Sequence, residues 1–126
     1  MREVRNRLLY VRRVGRLSES ELQRAIMLAV TSTGGRVFRN NLGQWEYAPG
    51  KFVKYGVCNP GGADLIGWTS TGRFLGIEVK NLGRDTTKAK RREDQKRFRD
   101  AVNAAGGLCF IARSVDEVLD VLRRVT

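Results

Sequence analysis

The stretch Gly61–Lys80, GGADLIGWTSTGRFLGIEVK, decides the fold of this chain. It predicts two apolar strands, Ala63–Trp68 and Arg73–Lys80, joined by a turn at residues 69–72 (TSTG). The other predicted elements arrange themselves around this hairpin.

The charged residues of the hairpin are expected to meet on one face. Because successive side chains of a strand alternate faces, Glu78 and Lys80 point the same way, while Ile77 and Val79 point into a core. Pairing the strands about the turn sets Asp64 opposite either Ile77 or Glu78. If Asp64 faces Glu78, two carboxylates and an ammonium group converge.

Charge is the strongest global property of the sequence. In 126 residues, enough for one domain with a real core, 24 lysines and arginines stand against 13 acids, giving a net charge of +11. Such an excess favours a polyanionic partner, most commonly nucleic acid; a basic protein without such a partner is the alternative. No long apolar run or secretory signal is present, so we expect neither a membrane span nor export.

The reactive residue types limit the chemistry. The only cysteines are Cys58 and Cys109, without zinc-ligand spacing, which favours a cytoplasmic location with reduced thiols. The chain has no histidine, which excludes imidazole-dependent catalysis. Hydrolytic chemistry here would have to use carboxylates, lysine and a bound metal.

The N-terminal half predicts an arm, a helix and a strand. Residues 1–17 carry six arginines and form either a short basic amphipathic helix or a flexible arm, ahead of a domain spanning 18–126. Ser18 and Glu21 have capping-box spacing, opening a helix that stops at residues 34–35 (GG). Glu19 and Gln23 share a face beside its apolar stripe, where Glu19 is either functional or simply solvated. A short strand is expected at Arg36–Asn40.

The stretch Asn41–Pro60 is predicted to be the least regular of the chain. It interleaves aromatic residues with cations: Trp45, Tyr47, Lys51, Phe52, Lys54 and Tyr55. Either the rings stack on bases while the cations meet phosphates, or the stretch is a twisted hairpin that packs its own aromatics.

The C-terminal part predicts helix, strand and helix. The first helix runs from about Lys88 to Ala105, with Thr86 or Thr87 as N-cap and an apolar face at positions 89, 98, 101, 102 and 105. A buried strand is expected at Leu108–Ala112, followed by a helix capped by a Ser-x-x-Glu box at 114–117. The order predicts an α/β fold, a mixed sheet flanked by helices with one crossover.

The charged residues form a D-x13-E-x-K pattern. Asp64 and Glu78 are hard ligands for Mg²⁺, and the main-chain carbonyl of Val79 lies between the two functional side chains of its strand. Lys80 could orient an attacking water or stabilise a pentacovalent phosphate. A structural salt bridge among the three side chains is the alternative.

These residues resemble the PD-(D/E)XK nuclease superfamily, and within it the VRR-NUC family. The similarity covers about residues 18–121 and rests on GGADLIG…GIEVK, the helix with ESELQ, the later helix bearing Gln95, the RNNxG run at 39–43 and the GG before the late strand. Alanine stands at position 63, where the superfamily name has proline. The resemblance implies a restriction-endonuclease-like αβββαβ core.

The resemblance also implies a function and roles for residues. It implies a Mg²⁺- or Mn²⁺-dependent endonuclease acting on branched, flapped or four-way DNA, without a small-molecule cofactor or membrane partner. Asp64 and Glu78 would bind metal, with Glu19 as a further metal ligand, Lys80 as the catalytic lysine, and Gln23 and Gln95 near the site. The residues assigned to DNA contact are Arg39, Asn40, Lys51, Lys54, Lys88, Lys90, Arg91 and Arg92.

The compact size is similar to that of stand-alone phage members and Holliday junction resolvases. That similarity implies a homodimer working in the cytoplasm of a bacterial or phage-infected cell. Two other functions remain open from the residues: a catalytically inactive DNA-binding module on the same fold, and a basic interaction protein without a nucleic-acid role.

Overall fold

A computed structural model of the chain describes residues 17–81 and 88–125. The predicted arm, apart from Leu17, lies outside these residues, as do Thr86 and Thr87. The helices and strands, in chain order, are α1 Glu19–Ser32, β1 Arg36–Arg39, β2 Gly43–Ala48, β3 Lys51–Tyr55, β4 Leu65–Trp68, β5 Phe74–Val79, α2 Ala89–Ala104, β6 Leu108–Ala112 and α3 Val115–Val125.

A four-stranded mixed sheet forms the centre of the fold. Its order is β1-β4-β5-β6; β4 pairs antiparallel with both β1 and β5, and β6 pairs parallel with β5. The parallel pair is joined through α2, because parallel strands need a crossover connection. The predicted αβββαβ core and mixed sheet are confirmed, with the hairpin β2–β3 inserted after β1.

One face of the sheet makes the core. Leu75, Ile77 and Val79 alternate along β5 and are fully buried in a cluster with apolar side chains of α1 and α3. The alternation predicted for this strand is therefore correct. From α1 and α3 the cluster receives Leu22, Ile26, Val30, Val118 and Leu122.

Side-chain caps fix the starts of α1 and α3, as predicted. The Ser18 hydroxyl accepts from the Glu21 amide, and the Glu21 carboxylate accepts from the Ser18 amide, both at 3.1 Å. At α3, the Ser114 hydroxyl accepts from the Glu117 amide at 3.1 Å. Each box satisfies amides that a helix start leaves without intrahelical partners.

Helix α2 differs from its prediction. It begins at Ala89 with Lys88 as N-cap, and the Lys88 side chain makes no capping hydrogen bond. Phe98 and Val102 are half-buried, whereas the alanines at positions 89, 101 and 105 are exposed, so the predicted apolar face is only partly correct. The one buried residue of α2 is Gln95, because this helix packs over a sheet face that carries charged side chains.

The stretch Asn41–Pro60 is more regular than predicted and forms a hairpin, which was one of the two alternatives its sequence left open. Strands β2 and β3 pair there as a separate antiparallel ribbon. Asn59 Nδ2 closes its base by donating to the carbonyls of Gly43 (2.7 Å) and Tyr55 (2.9 Å). The breakers that made this stretch look the least regular of the chain form the turn of the ribbon and its return to the main sheet.

Asn40 ties the chain leaving the ribbon to the main sheet. Its Nδ2 donates to the carbonyls of Val57 (2.9 Å) and Ala63 (3.0 Å), while its Oδ1 accepts from the Val57 amide at 2.8 Å. The side chain thus fixes the position of the segment that leads into β4.

Within 17–81 and 88–125, no helix combines the length and apolarity needed to cross a membrane.

The two thiols should differ in reactivity. Cys58 is exposed, whereas Cys109 is buried on β6, where burial first and the nearby Glu78 charge second raise its pKa to about 12 against the lowering effect of Arg99. We expect Ellman's reagent, at about pH 8, to label one thiol quickly and the second only on unfolding, because the thiolate is the nucleophile. In a Cys58→Ser variant the fast phase should vanish; rapid labelling of that folded variant would contradict the burial of Cys109.

Candidate active site

The strand register brings the two predicted carboxylates together. Leu65 pairs with Ile77, and one further step of this antiparallel ladder sets Asp64 opposite Glu78. Of the two registers open from the sequence, the second is therefore correct. Two hydrogen bonds from main-chain amides hold Asp64 in place. Its Oδ2 accepts from the Val79 amide at 2.8 Å, and its carbonyl accepts from the Asn40 amide at 2.8 Å.

Glu78 is a fully buried acid on the sheet face that α2 covers. Its Oε2 accepts from Arg99 Nη1 at 2.9 Å, while its Oε1 has no hydrogen-bond partner among the described residues. Desolvation raises the pKa of Glu78 above its usual value, and Asp64 adds to this effect; the charges of Arg99 and Lys80 oppose it. A group this costly to bury points to a purpose beyond packing.

Lys80 follows β5 on the same side as Glu78. Its Nζ donates to Oε1 of the buried Gln95 at 3.3 Å, and its amide donates to the Ala112 carbonyl at 3.0 Å. Gln95, which the resemblance implied to lie near the site, thus contacts Lys80 in the structure. The side-chain contact holds the ammonium group against α2, where its charge lowers the pKa of Glu78.

The geometry of α2 explains how this helix contacts both Glu78 and Lys80. Two residues along a strand and four along a helix both advance about 6 Å. Gln95 and Arg99 therefore stand one helical turn apart, opposite Lys80 and Glu78. No role was predicted for Arg99 from the sequence. The signal that could have found it is its four-residue spacing from Gln95 on a helix, which matches in length the two-residue spacing of Glu78 and Lys80 on a strand.

Glu19 lies at the same end of the sheet but is exposed. The start of α1 is held there because Asn81 Nδ2 donates to the Leu17 carbonyl (2.9 Å) and Arg39 Nη2 donates to the Ser20 carbonyl (3.2 Å). Among the described residues, no group of three or more acidic or cysteine side chains could hold a metal ion. A metal-binding role for Glu19 stays a prediction. Gln23, further along α1, is half-buried.

The two facing carboxylates fit a hard divalent cation. The buried Glu78 Oε1 has no hydrogen-bond partner in the part of the chain that the structure describes, and Asp64 supplies a second carboxylate across the ladder. Mg²⁺ commonly takes one or two protein carboxylates and completes its shell with water and substrate oxygens. The donors present therefore suit such an ion, with Arg99 holding the other oxygen of Glu78.

Several predicted DNA-contacting residues line a groove beside this site. Its walls are the ribbon β2–β3 and the start of α2, and its floor includes Gly61, whose added Cβ would lie 2.6 Å from the Asp94 carbonyl. The cations lining it are Lys54, Lys88, Lys90 and Arg91. Among the described residues, the one acid that lines it is Asp94, which forms an ion pair with Lys90 at 3.0 Å.

The other predicted DNA contacts have different settings. Lys51 and Arg92 are exposed, on the ribbon and on α2. Arg39 donates to Ser20, and the Asn40 side chain bonds to main-chain groups. Their contact with DNA stays a prediction.

Removing Arg99 should destabilise the protein in a pH-dependent way. In metal-free buffer at about pH 8, Arg99→Ala leaves the buried Glu78 charge without its ion-pair partner, and we expect a loss of about 3 kcal/mol in the free energy of unfolding. Because Arg99 lowers the pKa of Glu78, the variant's carboxyl takes up a proton more readily as pH falls. The deficit should therefore shrink toward about pH 5, as urea unfolding would show.

A matched control is Arg97→Ala, since Arg97 pairs with Glu93 at the surface, where the two side chains are 70% and 57% exposed. This change should cost at most about 0.5 kcal/mol at either pH. Equal losses in both variants, or an Arg99→Ala deficit that grows with acid, would refute the buried pair.

Comparison with known proteins supports the fold. No family model matches the sequence, and neither does any curated protein. A solved structure described as a VRR_NUC domain matches with a TM-score of 0.54 and 17% identity, over 86% of this chain and 97% of that one. The chain therefore has the fold of a VRR_NUC domain, a nuclease fold, as the resemblance of its hairpin implied.

Proposed function

We propose that the protein is a metal-dependent DNA endonuclease that hydrolyses phosphodiester bonds. The observation that carries this proposal is the buried Glu78 Oε1 opposite Asp64, which has no hydrogen-bond partner within residues 17–81 and 88–125. Gln95 holds the Lys80 ammonium group on the same sheet face. The shared fold with a VRR_NUC domain supports it.

Each residue has a part in this chemistry. Asp64 and Glu78 would hold a Mg²⁺ or Mn²⁺ ion, with the Val79 carbonyl as the third protein ligand and Glu19 as a further carboxylate. When bound, such an ion polarises a phosphate oxygen and lowers the pKa of water. Lys80 orients the attacking water or neutralises charge on the phosphorane, and Gln95 restricts the Lys80 side chain so that little ordering is needed in the transition state.

The groove and the net charge support DNA as the substrate. Of the charged residues that the structure describes in the groove, four are cations and one is an acid, and the chain carries +11. Lysine and arginine side chains that meet phosphates release counterions, which favours binding without reading sequence. We extend the proposal to branched, flapped or four-way DNA, because shape rather than sequence would then select the substrate.

An inactive DNA-binding module is the second candidate. It is favoured by the ion pair between Arg99 and Glu78, which uses a carboxylate oxygen that a metal would otherwise take. In that case the cations of the groove would bind DNA while the carboxylates serve only the fold.

Cleavage assays should separate these functions. With flapped, four-way and supercoiled DNA, we expect strand scission with Mg²⁺ or Mn²⁺ and none with EDTA. Asp64→Asn should abolish scission because it removes an anionic ligand, and Lys80→Ala should lower turnover by about 100-fold or more while metal affinity, measured by calorimetry, is retained. Asp100→Asn, at a surface acid paired with Lys96, is the matched control and should cleave normally.

Scission that survives EDTA or Asp64→Asn would rule out the metal mechanism. Salt-dependent DNA binding with no scission under any condition would establish the inactive module instead. A collapse of metal affinity in Lys80→Ala would show that its assigned role is wrong.

We also propose that the chain acts as a homodimer. Two copies that each carry +11 must meet through uncharged surface. The half of the sheet face that α2 leaves uncovered supports this, since Phe38, Trp68 and Phe74 are exposed there. Sedimentation should give a dimer that Trp68→Glu converts to monomers, and a wild-type chain that stays monomeric even on DNA would contradict the proposal.

A further inference from the structure

The ribbon β2–β3 presents two chemically different faces. Residues directly opposite each other in an antiparallel pair share a face. Trp45 pairs with Val53, and Gly43 pairs with Tyr55, so these residues lie on one side, which we call the outer face. On β3, Lys51 stands two residues before Val53 and so belongs to the outer face as well. Tyr47 lies where β2 shifts register between Glu46 and Ala48, next to this face.

The opposite face of the ribbon borders the basic groove. Gln44 pairs with Lys54, and both residues line the groove together with the cations at the start of α2. A DNA backbone lying in this groove would therefore run directly beside the ribbon, with the outer face turned away from it.

The outer face is aromatic and open to solvent. Trp45 is 62% exposed, Tyr47 55% and Tyr55 51%. In the part of the chain that the structure describes, ring contacts join Phe38 to Trp68 and Phe74 to Phe98, and none involves the ribbon. Of the two roles left open for these aromatics, packing against one another is therefore not the one observed.

The outer face is also preformed. The Tyr55 ring lies over Gly43, where an added Cβ would run into the Tyr55 hydroxyl and ring carbons. The hydrogen bonds of Asn59 fix the base of the ribbon at these same two residues. Rigid aromatic surface loses little conformational freedom when a ligand stacks on it.

We propose that the outer face stacks unpaired bases of the DNA substrate. This inference rests on the proposed function and narrows its substrate to DNA in which a duplex meets a single strand. The groove takes backbone phosphates on one side of the ribbon, and the aromatic rings take bases on the other, with Lys51 as the neighbouring cation. Charge complementarity decides the occupant, because Lys51 and a net charge of +11 suit a polyanion better than a second copy.

Binding measured in EDTA tests this separately from cleavage. Fluorescence anisotropy would compare a blunt duplex with the same duplex carrying a single-stranded overhang. We expect Trp45→Ala and Tyr55→Ala each to weaken binding of the overhang DNA about five- to tenfold, the lower part of the range for loss of one stacked base. Blunt-duplex affinity should be unchanged, and Trp45→Phe should restore overhang binding.

The second tryptophan provides the control and a direct signal. Trp68→Phe removes the other exposed indole, on β4, but keeps an aromatic ring there, and should leave the preference for overhang DNA intact. In a Trp68→Phe variant, Trp45 is the only tryptophan, and its fluorescence should be quenched by overhang DNA but not by blunt duplex.

Three results would overturn the proposal. One is an equal effect of Trp45→Ala on both DNAs, or no effect on either. Another is unquenched Trp45 fluorescence on saturation with overhang DNA. The third is a Trp45→Ala chain that sediments as a monomer where the wild type is a dimer, with DNA affinity unchanged, which would assign the face to a second copy. Failure of the wild type to bind any DNA would refute the proposed function itself.

Discussion

The structure depends on a single constraint, the burial of Glu78 in the middle of a sheet. Ile77 and Val79, its neighbours on β5, belong to the apolar core, so Glu78 cannot reach solvent by a small shift of its strand. Burial of an anion costs several kcal/mol unless other charges offset it. Arg99 and Lys80 supply those charges. As a consequence, α2 must present polar side chains to this face of the sheet.

Helix α2 is accordingly a polar helix over a buried sheet face. Its buried residue is a glutamine, and its contact with β5 includes a hydrogen bond and an ion pair one turn apart. A core built only for stability would place apolar side chains here, since replacing buried ion pairs by apolar residues is often neutral or stabilising. Retaining this polar layer is the kind of local conflict that functional sites show.

The ribbon β2–β3 is a second element whose side chains are not used for the apolar core. It adds little to the core, because every side chain of β3 is exposed. Its position is instead fixed by the amide side chains of Asn40 and Asn59, which bond to main-chain groups at its base. Hydrogen bonds can hold such an element rigidly while leaving its aromatic side chains free for a partner.

The sequence by itself determined the fold class, the capped helices α1 and α3, and the hairpin with Glu78 and Lys80 on one face. These depend on periodicity and capping, which are local properties of the chain. It could not determine whether Asp64 faces Glu78, that Arg99 pairs with Glu78, or that the breakers in 41–60 frame a ribbon. Only the tertiary structure decided these, because a strand register and a helix–sheet contact join residues distant in sequence, and a shift of one residue would turn every side chain of the strand to the other face.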